Sequence, residues 1–421
     1  MSLSSLRIIV TGLIAQHPQL GGLTWAYIQY LLGLARLGHD VYYLEDSGAS
    51  PYRLDGSVGR AALTGSGAAN ARYLRAMMRR IGLDQRWAYR CASTGEWFGL
   101  GDAARRELLH SADLVLNVSG ALARPQEYRR GARLVYVDTD PVFTQVRLLL
   151  PRGHTKFHRR VDAHDRHFTF GECLSKPYSA TGHRWQGTRQ PIVLTEWRPS
   201  PPPRRVFTTV LNWTSYQPLH FKRRLYGQKD IELRRFLDLP SRVRSTSFEI
   251  ALNRTANLRW TTIGRRDRTV PRALLRAAGW RTVDATRVCR DPDRYRRYIY
   301  SSMAEWSVAK NGYVMGHSGW FSERSACYLA AGRPVVVQDT GFAAVIPTGE
   351  GVIRFADLDG AIAAVEEVLE RYATHAAAAR GIAEAWFDSD RVLAHLLTGA
   401  FDAVDTASSG GKDHGTVVSR S

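Results

Sequence analysis

The stretch from Gly312 to Phe355, GYVMGHSGWFSERSACYLAAGRPVVVQDTGFAAVIPTGEGVIRF, constrains the fold more than any other part of the chain. It runs from a polar, Gly-rich turn into a helix, then Gly, Pro, a strand, an acidic turn and Gly. Ser322 stands where a helix cap belongs, and Glu323 to Ala331 read as the helix. Gly332 ends it and Pro334 opens a strand, Val335 to Val337, apolar throughout as in a strand buried on both faces. Gln338-Asp339-Thr340-Gly341 then falls at the carboxyl end of that strand, where open parallel sheets bind ligands. The loop from His317 to Ser322 enters a helix N-terminus. Free N–H groups and the helix dipole there favour a phosphate or diphosphate.

A second informative region opens the chain. Leu6 to Ile14 reads as a strand, and Gln16 to Gly22 as a loop broken by Pro18, Gly21 and Gly22. Leu23 to Leu37 has apolar residues at helical spacing, and Val41 to Leu44 is a second strand, which completes a βαβ unit. Further strands are expected at Leu114–Val118, Leu134–Val137, Phe168–Gly171, Val206–Leu211, Phe248–Leu252 and Thr282–Asp284. Helices alternate with them, at Ala71–Ile81, Arg105–His110, Ile231–Leu237, Ala361–Ala373, Ala376–Phe387 and Arg391–Leu397. This alternation predicts a doubly wound parallel sheet. The Pro cluster from Pro199 to Pro203 is the clearest linker. Ser47 to Gly67 reads as a Gly/Ser-rich loop, and Val404 to Ser421 as a disordered polar tail.

The 421 residues suffice for two domains and a large core. Hydrophobic residues make up 44% and charged residues 23%, the values of an ordinary globular chain. The longest apolar run near the start, Ile8 to Ala15, is too short for a membrane span and lacks a cleavage-site pattern, so the expected location is cytoplasmic. Cys91, Cys173, Cys289 and Cys327 are scattered, without the paired spacing of a zinc site or a disulfide framework. His154, His158, His164 and His167 crowd one segment with Asp162 and Asp165. Their spacing fits no common metal motif, and a polar loop or helix is the preferred reading. The net charge of +19 attracts polyanions, but the Arg residues are spread along the chain and no nucleic-acid-binding motif is present. Nucleic acid is therefore not an expected partner.

His317-Ser318-Gly319-Trp320-Phe321-Ser322 resembles the HCGWNS opening of the plant-type UDP-sugar transferase signature. Ala330-Ala331-Gly332-Arg333-Pro334-Val335-Val336, followed by Asp339-Thr340-Gly341, also resembles the retaining nucleotide-sugar transferases. Those enzymes carry a spaced pair of glutamates. Projection back from Gly332 places the pair at Gly319 and Cys327, neither acidic, and leaves Glu323. The Pro18…Gly21-Gly22…Gly38-His39 pattern is similar to the start of many GT-B enzymes. Together these features mark a resemblance to the GT-B nucleotide-sugar glycosyltransferase superfamily. It implies an α/β chain of two Rossmann-like doubly wound domains facing a cleft. Residues 1–198 would bind the acceptor and 199–385 the nucleotide-sugar donor; a helix at 386–403 would cross back, and 404–421 would form the tail.

The resemblance implies transfer of a sugar from a nucleotide-activated donor to an acceptor hydroxyl or amine, without a metal or a further cofactor. Arg- and Ala-rich usage suggests a bacterial source, where such enzymes serve secondary-metabolite or envelope glycan biosynthesis. Candidate donor-binding residues are Gly21, Gly22, Asn212, Lys229, His317, Gly319, Ser322, Glu323, Asp339, Thr340 and Gly341. Candidate bases for an inverting reaction are His17, Asp138 and Asp140; a retaining reaction needs none. Asp339 and Gly341 are expected to face the sugar. Acceptor, donor sugar and oligomeric state are left open. Alternatives are an epimerase or phosphorylase on the same architecture, or a basic nucleic-acid-binding or catalytically silent sugar-binding protein.

Overall fold

The computed structural model describes residues 5–50, 67–150, 153–252 and 271–402. Most of the loop expected at Ser47–Gly67 and all of the expected tail lie outside these. Two sheets carry the fold. The first takes β1 (Arg7–Thr11), β2 (Asp40–Glu45), β3 (Trp87–Arg90), β4 (Trp97–Gly99), β5 (Leu114–Val118), β6 (Arg133–Asp138), β7 (Arg166–Thr169) and β8 (Trp185–Gly187). Their order is β4-β3-β2-β1-β5-β6-β7-β8, parallel except for the antiparallel β3–β4 edge. After β9 (Val206–Leu211), the short strands β10 (Leu219–Phe221) and β11 (Arg224–Tyr226) form a hairpin. The second sheet adds β12 (Ser247–Leu252), β13 (Arg281–Asp284), β14 (Ala304–Ser307), β15 (Val335–Gln338) and β16 (Val352–Phe355) to β9. Its order, β13-β12-β9-β14-β15-β16, is parallel throughout.

Both orders reverse beside the strand that opens the domain, β1 or β9. A crevice opens at the carboxyl ends of the strands at such a reversal. The sequence pattern explains the sheets. β5, β14 and β15 are buried at every position, as central parallel strands must be. Among the described residues, seven strands escaped the sequence reading: β3, β4, β8, β10, β11, β14 and β16. β8 is three residues long and half-buried, and β14 contains Glu305, which reads as polar.

The first helix, Gly21–Arg36, belongs to both cores. Tyr27, Tyr30, Leu31 and Leu34 pack into the first domain with Ile8, Val10 and Leu116. Trp25 and Ile28 pack into the second with Tyr295, Ile299 and Tyr328. Each fully buried side chain of this size contributes about 1.5–3 kcal/mol. The end of the helix is satisfied across the domain boundary: Gly21 N–H donates to Cys289 O at 2.8 Å, and Trp25 Nε1–H to Pro292 O at 2.8 Å. A Cβ on Gly21 would sit 2.2 Å from Asp291 O, so the close approach admits glycine alone. Gly21→Ala is accordingly expected to destabilise the protein by about 1–3 kcal/mol, read as a lower midpoint in urea. An unchanged midpoint would show that the two domains do not meet this closely in solution.

The chain passes twice between the domains. The first crossing leads from Gly187 to Val206. The second returns through a π-helical turn, Ala383–Phe387, into the last helix, Ser389–Phe401. That helix buries Leu393, Leu396 and Leu397 in the first-domain core. The crossings are pinned together: Ile192 N–H donates to Phe387 O at 2.7 Å, and Ser389 N–H to Ile192 O at 2.9 Å.

Candidate functional site

β15 ends in the crevice at Gln338. Its amide donates to Glu232 Oε2 at 2.6 Å and accepts from Ala309 N–H at 3.1 Å. The helix Glu323–Ala330 starts beside it. Ser322 takes the cap position in an extended conformation, but its hydroxyl caps nothing. The first-turn N–H groups are thus left to solvent or a ligand. A narrow recess of about 10 Å³, room for about one water molecule, opens here, lined by Ser307 to Ala309, Ser322, Ser325 and Gln338 among others. The Ser325 hydroxyl is buried without a partner among the described residues. A buried hydroxyl in that state is unusual and suits a polar ligand.

Three basic side chains converge on this helix start. Arg324 is consumed structurally. It binds Glu305, Ser307 Oγ and, at 2.7 Å, Val210 O, tying the helix to β9 and β14. Lys310 pairs with Asp140 at 2.9 Å and bonds Tyr216 OH at 2.9 Å. Lys229 opens the helix Lys229–Leu233, which Asp230 N–H fastens to Trp213 O at 3.1 Å, just beyond the end of β9. Lys229 is half-buried and has no hydrogen bond or ion pair among the described residues. Burial, and then repulsion from Arg324, push its ammonium far below the ordinary lysine value. Glu323 is half-buried beside these cations. Burial raises its carboxyl, against the pull of Arg324, Lys229 and Lys310. Lys229 and Glu323 are therefore close enough to sense one another, and neither is neutralised by a direct contact.

The neighbouring loop is held by packing. Gly319 N–H donates to Thr340 O at 2.9 Å, and Thr340 Oγ1 donates to Trp320 O at 2.5 Å. Gly319, with φ of 80°, faces Cys173 of the first domain; a Cβ there would lie 2.8 Å from Cys173 Sγ. Gly341, with φ of 88°, approaches the His317 carbonyl. His317 is exposed and ends the helix Asn311–Gly316 in a left-handed conformation. Asp339 has both carboxylate oxygens engaged: Gly341 N–H donates to one at 2.8 Å and Arg354 to the other at 2.7 Å. Asn212 is exposed at the end of β9. Gly22 packs on the Tyr295 ring and, with Gly21, forms a domain contact. Of the tryptophans able to stack on a ligand, Trp213 and Trp306 are core residues, while Trp320 is half-buried and stacked on Tyr313 at 4.2 Å.

On the first-domain side, Asp138 is buried and accepts from Thr144, Gln145, Thr169 and the Asp140 N–H. Asp140 is bound by Lys310 and by the hydroxyls of Tyr216 and Tyr313. Burial works to raise its carboxyl, but Lys310 and Arg147 outweigh burial and hold it below the usual carboxylate range. His17, half-buried in the first crevice loop, is pushed down to about 4 by burial, so its imidazole is neutral at pH 7. Sequence reasoning missed Glu45, which shapes that loop. Its buried carboxylate accepts from Ala15 N–H at 2.8 Å, Gln16 N–H at 2.6 Å and Tyr43 OH at 2.6 Å. It also missed Arg324, Glu305, Glu232 and Lys310. Buried charges at strand ends were the available signal.

The histidine-rich segment is the helix Thr155–Asp162 followed by β7. Among the described residues, no group of three or more His, Cys, Asp or Glu is arranged to hold a metal. His164 donates to Val161 O at 3.1 Å and accepts from Asn117 at 3.0 Å; His167 donates to Val161 O at 2.9 Å. Burial pushes their imidazoles down to about 3 and about 4. Folded, both stay neutral while the unfolded chain takes up protons below about pH 6.5. Stability is thus expected to fall as the pH drops from about 6.5 to about 4, by up to about 1.4 kcal/mol per unit for each imidazole. Urea midpoints that stay level across that window in wild type, or fall as steeply in a His164→Asn/His167→Asn double variant, would contradict this assignment.

No protein-family model and no curated protein sequence matches the chain. Solved structures do. An alpha-glucosyltransferase, in complex with UDP and a mismatched 13-mer DNA, superposes with a TM-score of 0.56 at 11% identity, covering 94% of this chain and 100% of that one. HepE from Anabaena, in complex with UDP and glucose, gives 0.54 at 12% identity over 93% and 99%. Sucrose-phosphate synthase from Thermosynechococcus elongatus gives 0.51 at 12% identity over 93% and 97%. The architecture of two doubly wound domains about a crevice is the one these proteins share. The chain has the GT-B fold.

Proposed function

We propose that the chain is a glycosyltransferase that takes its sugar from a nucleotide-activated donor, with a uridine diphosphate sugar as the first donor to test. Lys229 carries this reading. It is a half-buried cation with no anionic partner among the described residues, beside an uncapped helix start and an unpartnered serine hydroxyl. A diphosphate supplies the missing negative charge. Complexes with UDP and UDP-glucose among structures of the same fold support it.

In the reaction, the bond from the anomeric carbon to the phosphate oxygen breaks, and negative charge grows on the diphosphate. Lys229 and the first-turn N–H groups are placed to stabilise that charge. Glu323 can accept two hydrogen bonds from a cis-diol such as ribose. The acceptor oxygen or nitrogen bonds to the anomeric carbon and loses a proton. His17 is the neutral imidazole of the first crevice loop, whereas Asp138 and Asp140 spend their lone pairs on internal donors. No metal is needed where side chains and backbone supply the positive charge. Turnover is therefore expected to persist in EDTA, and loss of turnover restored by manganese would refute that part. The whole reading is tested by incubating the protein with UDP-glucose and other nucleotide sugars. The assay follows nucleoside diphosphate release and the melting-temperature rise from binding. Absence of a shift with every nucleoside diphosphate would overturn it. The acceptor screen includes oligonucleotides, because the net charge is +19 and the alpha-glucosyltransferase of like fold is seen with DNA.

A further inference from the structure

A second pocket lies away from the donor recess, in the hinge. It is a cavity of about 300 Å³ walled by both crossings between the domains. The first crossing contributes Thr188 and Arg189, the second Trp386, and the last helix Arg391 and His395, with Glu172 closing the side. Thr188 is 4% exposed, yet its hydroxyl has no hydrogen-bond partner among the described residues. Trp386 is 37% exposed, the only Trp among the exposed large hydrophobic residues described. It is presented by the π-helical turn Ala383–Phe387, a rare distortion that recurs at functional sites. The charge is unbalanced. Glu172 is neutralised by Arg189, while Arg391 has no ion pair among the described residues.

We infer that this hinge pocket binds a phosphorylated sugar. An indole face suits the C–H face of a pyranose ring. Thr188 and His395 can exchange hydrogen bonds with ring hydroxyls. Arg391 offers the planar fork that fits a phosphate. The site goes beyond the donor reading, because it shares no residue with the donor recess. Its occupant would touch both crossings at once, where Ile192 and Phe387 already hold them together.

The test is calorimetric titration of the full chain with glucose 1-phosphate, glucose and inorganic phosphate. Glucose 1-phosphate is expected to bind at least about tenfold more tightly than either part, as a charge-assisted contact adds to the ring contacts. Trp386→Ala and Arg391→Ala should each weaken it about tenfold or more. Both residues are exposed, and an unchanged melting temperature without ligand verifies that each variant folds. Lys229→Met should leave this titration intact, which separates it from the donor site. Three results would overturn the inference: no heat at millimolar glucose 1-phosphate, unchanged affinity in both hinge variants, or loss confined to Lys229→Met.

Discussion

Lys229→Met is expected to weaken UDP binding by about 10- to 100-fold and, in the same protein, to raise the ligand-free melting temperature. The first effect follows from losing charge-assisted hydrogen bonds to phosphate, about 1.5–3 kcal/mol, where 1.4 kcal/mol is tenfold. The second follows from burial. The ammonium pays a desolvation cost that no partner among the described residues repays, and methionine keeps the shape without the charge. The sign with pH can be worked out. The folded group loses its proton before the unfolded one does, so the penalty is complete at low pH. It fades as pH rises through the depressed value toward the ordinary lysine value. The variant's gain in stability should shrink in the same direction. An unchanged UDP dissociation constant would remove Lys229 from the donor site, whatever happened to stability.

The second large effect is expected at Asp140. Asp140→Ala should cost about 2–4 kcal/mol, because it strands Lys310 and the hydroxyls of Tyr216 and Tyr313 in a partly buried place. The side chains of Asp140 and Lys310 are 24% and 16% exposed, which keeps the figure below that of a fully buried pair. Asp140→Asn combined with Lys310→Met removes both charges and should recover much of the loss in a calorimetric melt. Turnover then separates two roles. If Asp140 only fastens the first domain to the second, activity should return with stability in the double variant. If it were the proton acceptor, stability would return and activity would not. A single Asp140→Ala variant that melted with wild type would show that the contact is absent in solution.

The fold was legible because its signals are local and repeated. Val335 to Val337, Leu114 to Val118 and the Gly-Gly loop at 21–22 each announce one βα unit, and parallel topology follows from their alternation. The candidate site was legible only where a residue's placement follows from chain position. Lys229, Ser322 and Glu323 sit at a strand end or a helix start, and the structure brings them to one crevice. Other candidates met partners that no local pattern reveals. Gly21 and Gly22 read as a phosphate loop, yet they lie on Asp291 and Tyr295, more than two hundred and fifty residues away in sequence. Asp339 reads as a free strand-end carboxylate, yet Arg354 reaches it from the adjacent strand. Glu305 was passed over because a buried acid in a strand makes sense only once Arg324 is seen beside it.

The helix Gly21–Arg36 sets a limit on how this molecule could be divided. Its two faces are committed to different cores, so a fragment ending before Val206 would turn Trp25 and Ile28 out into water. A fragment beginning there would lack the indole that accompanies Tyr295 and Tyr328 and the glycine N–H that caps Cys289 O. Neither half is a self-sufficient cassette. Exchanging second halves between proteins of this architecture would require the first helix to travel with the second half, although the chain places it at the opposite end. Heat should melt the protein in one calorimetric transition in place of two, and opening of the crevice must pivot around this helix without withdrawing it.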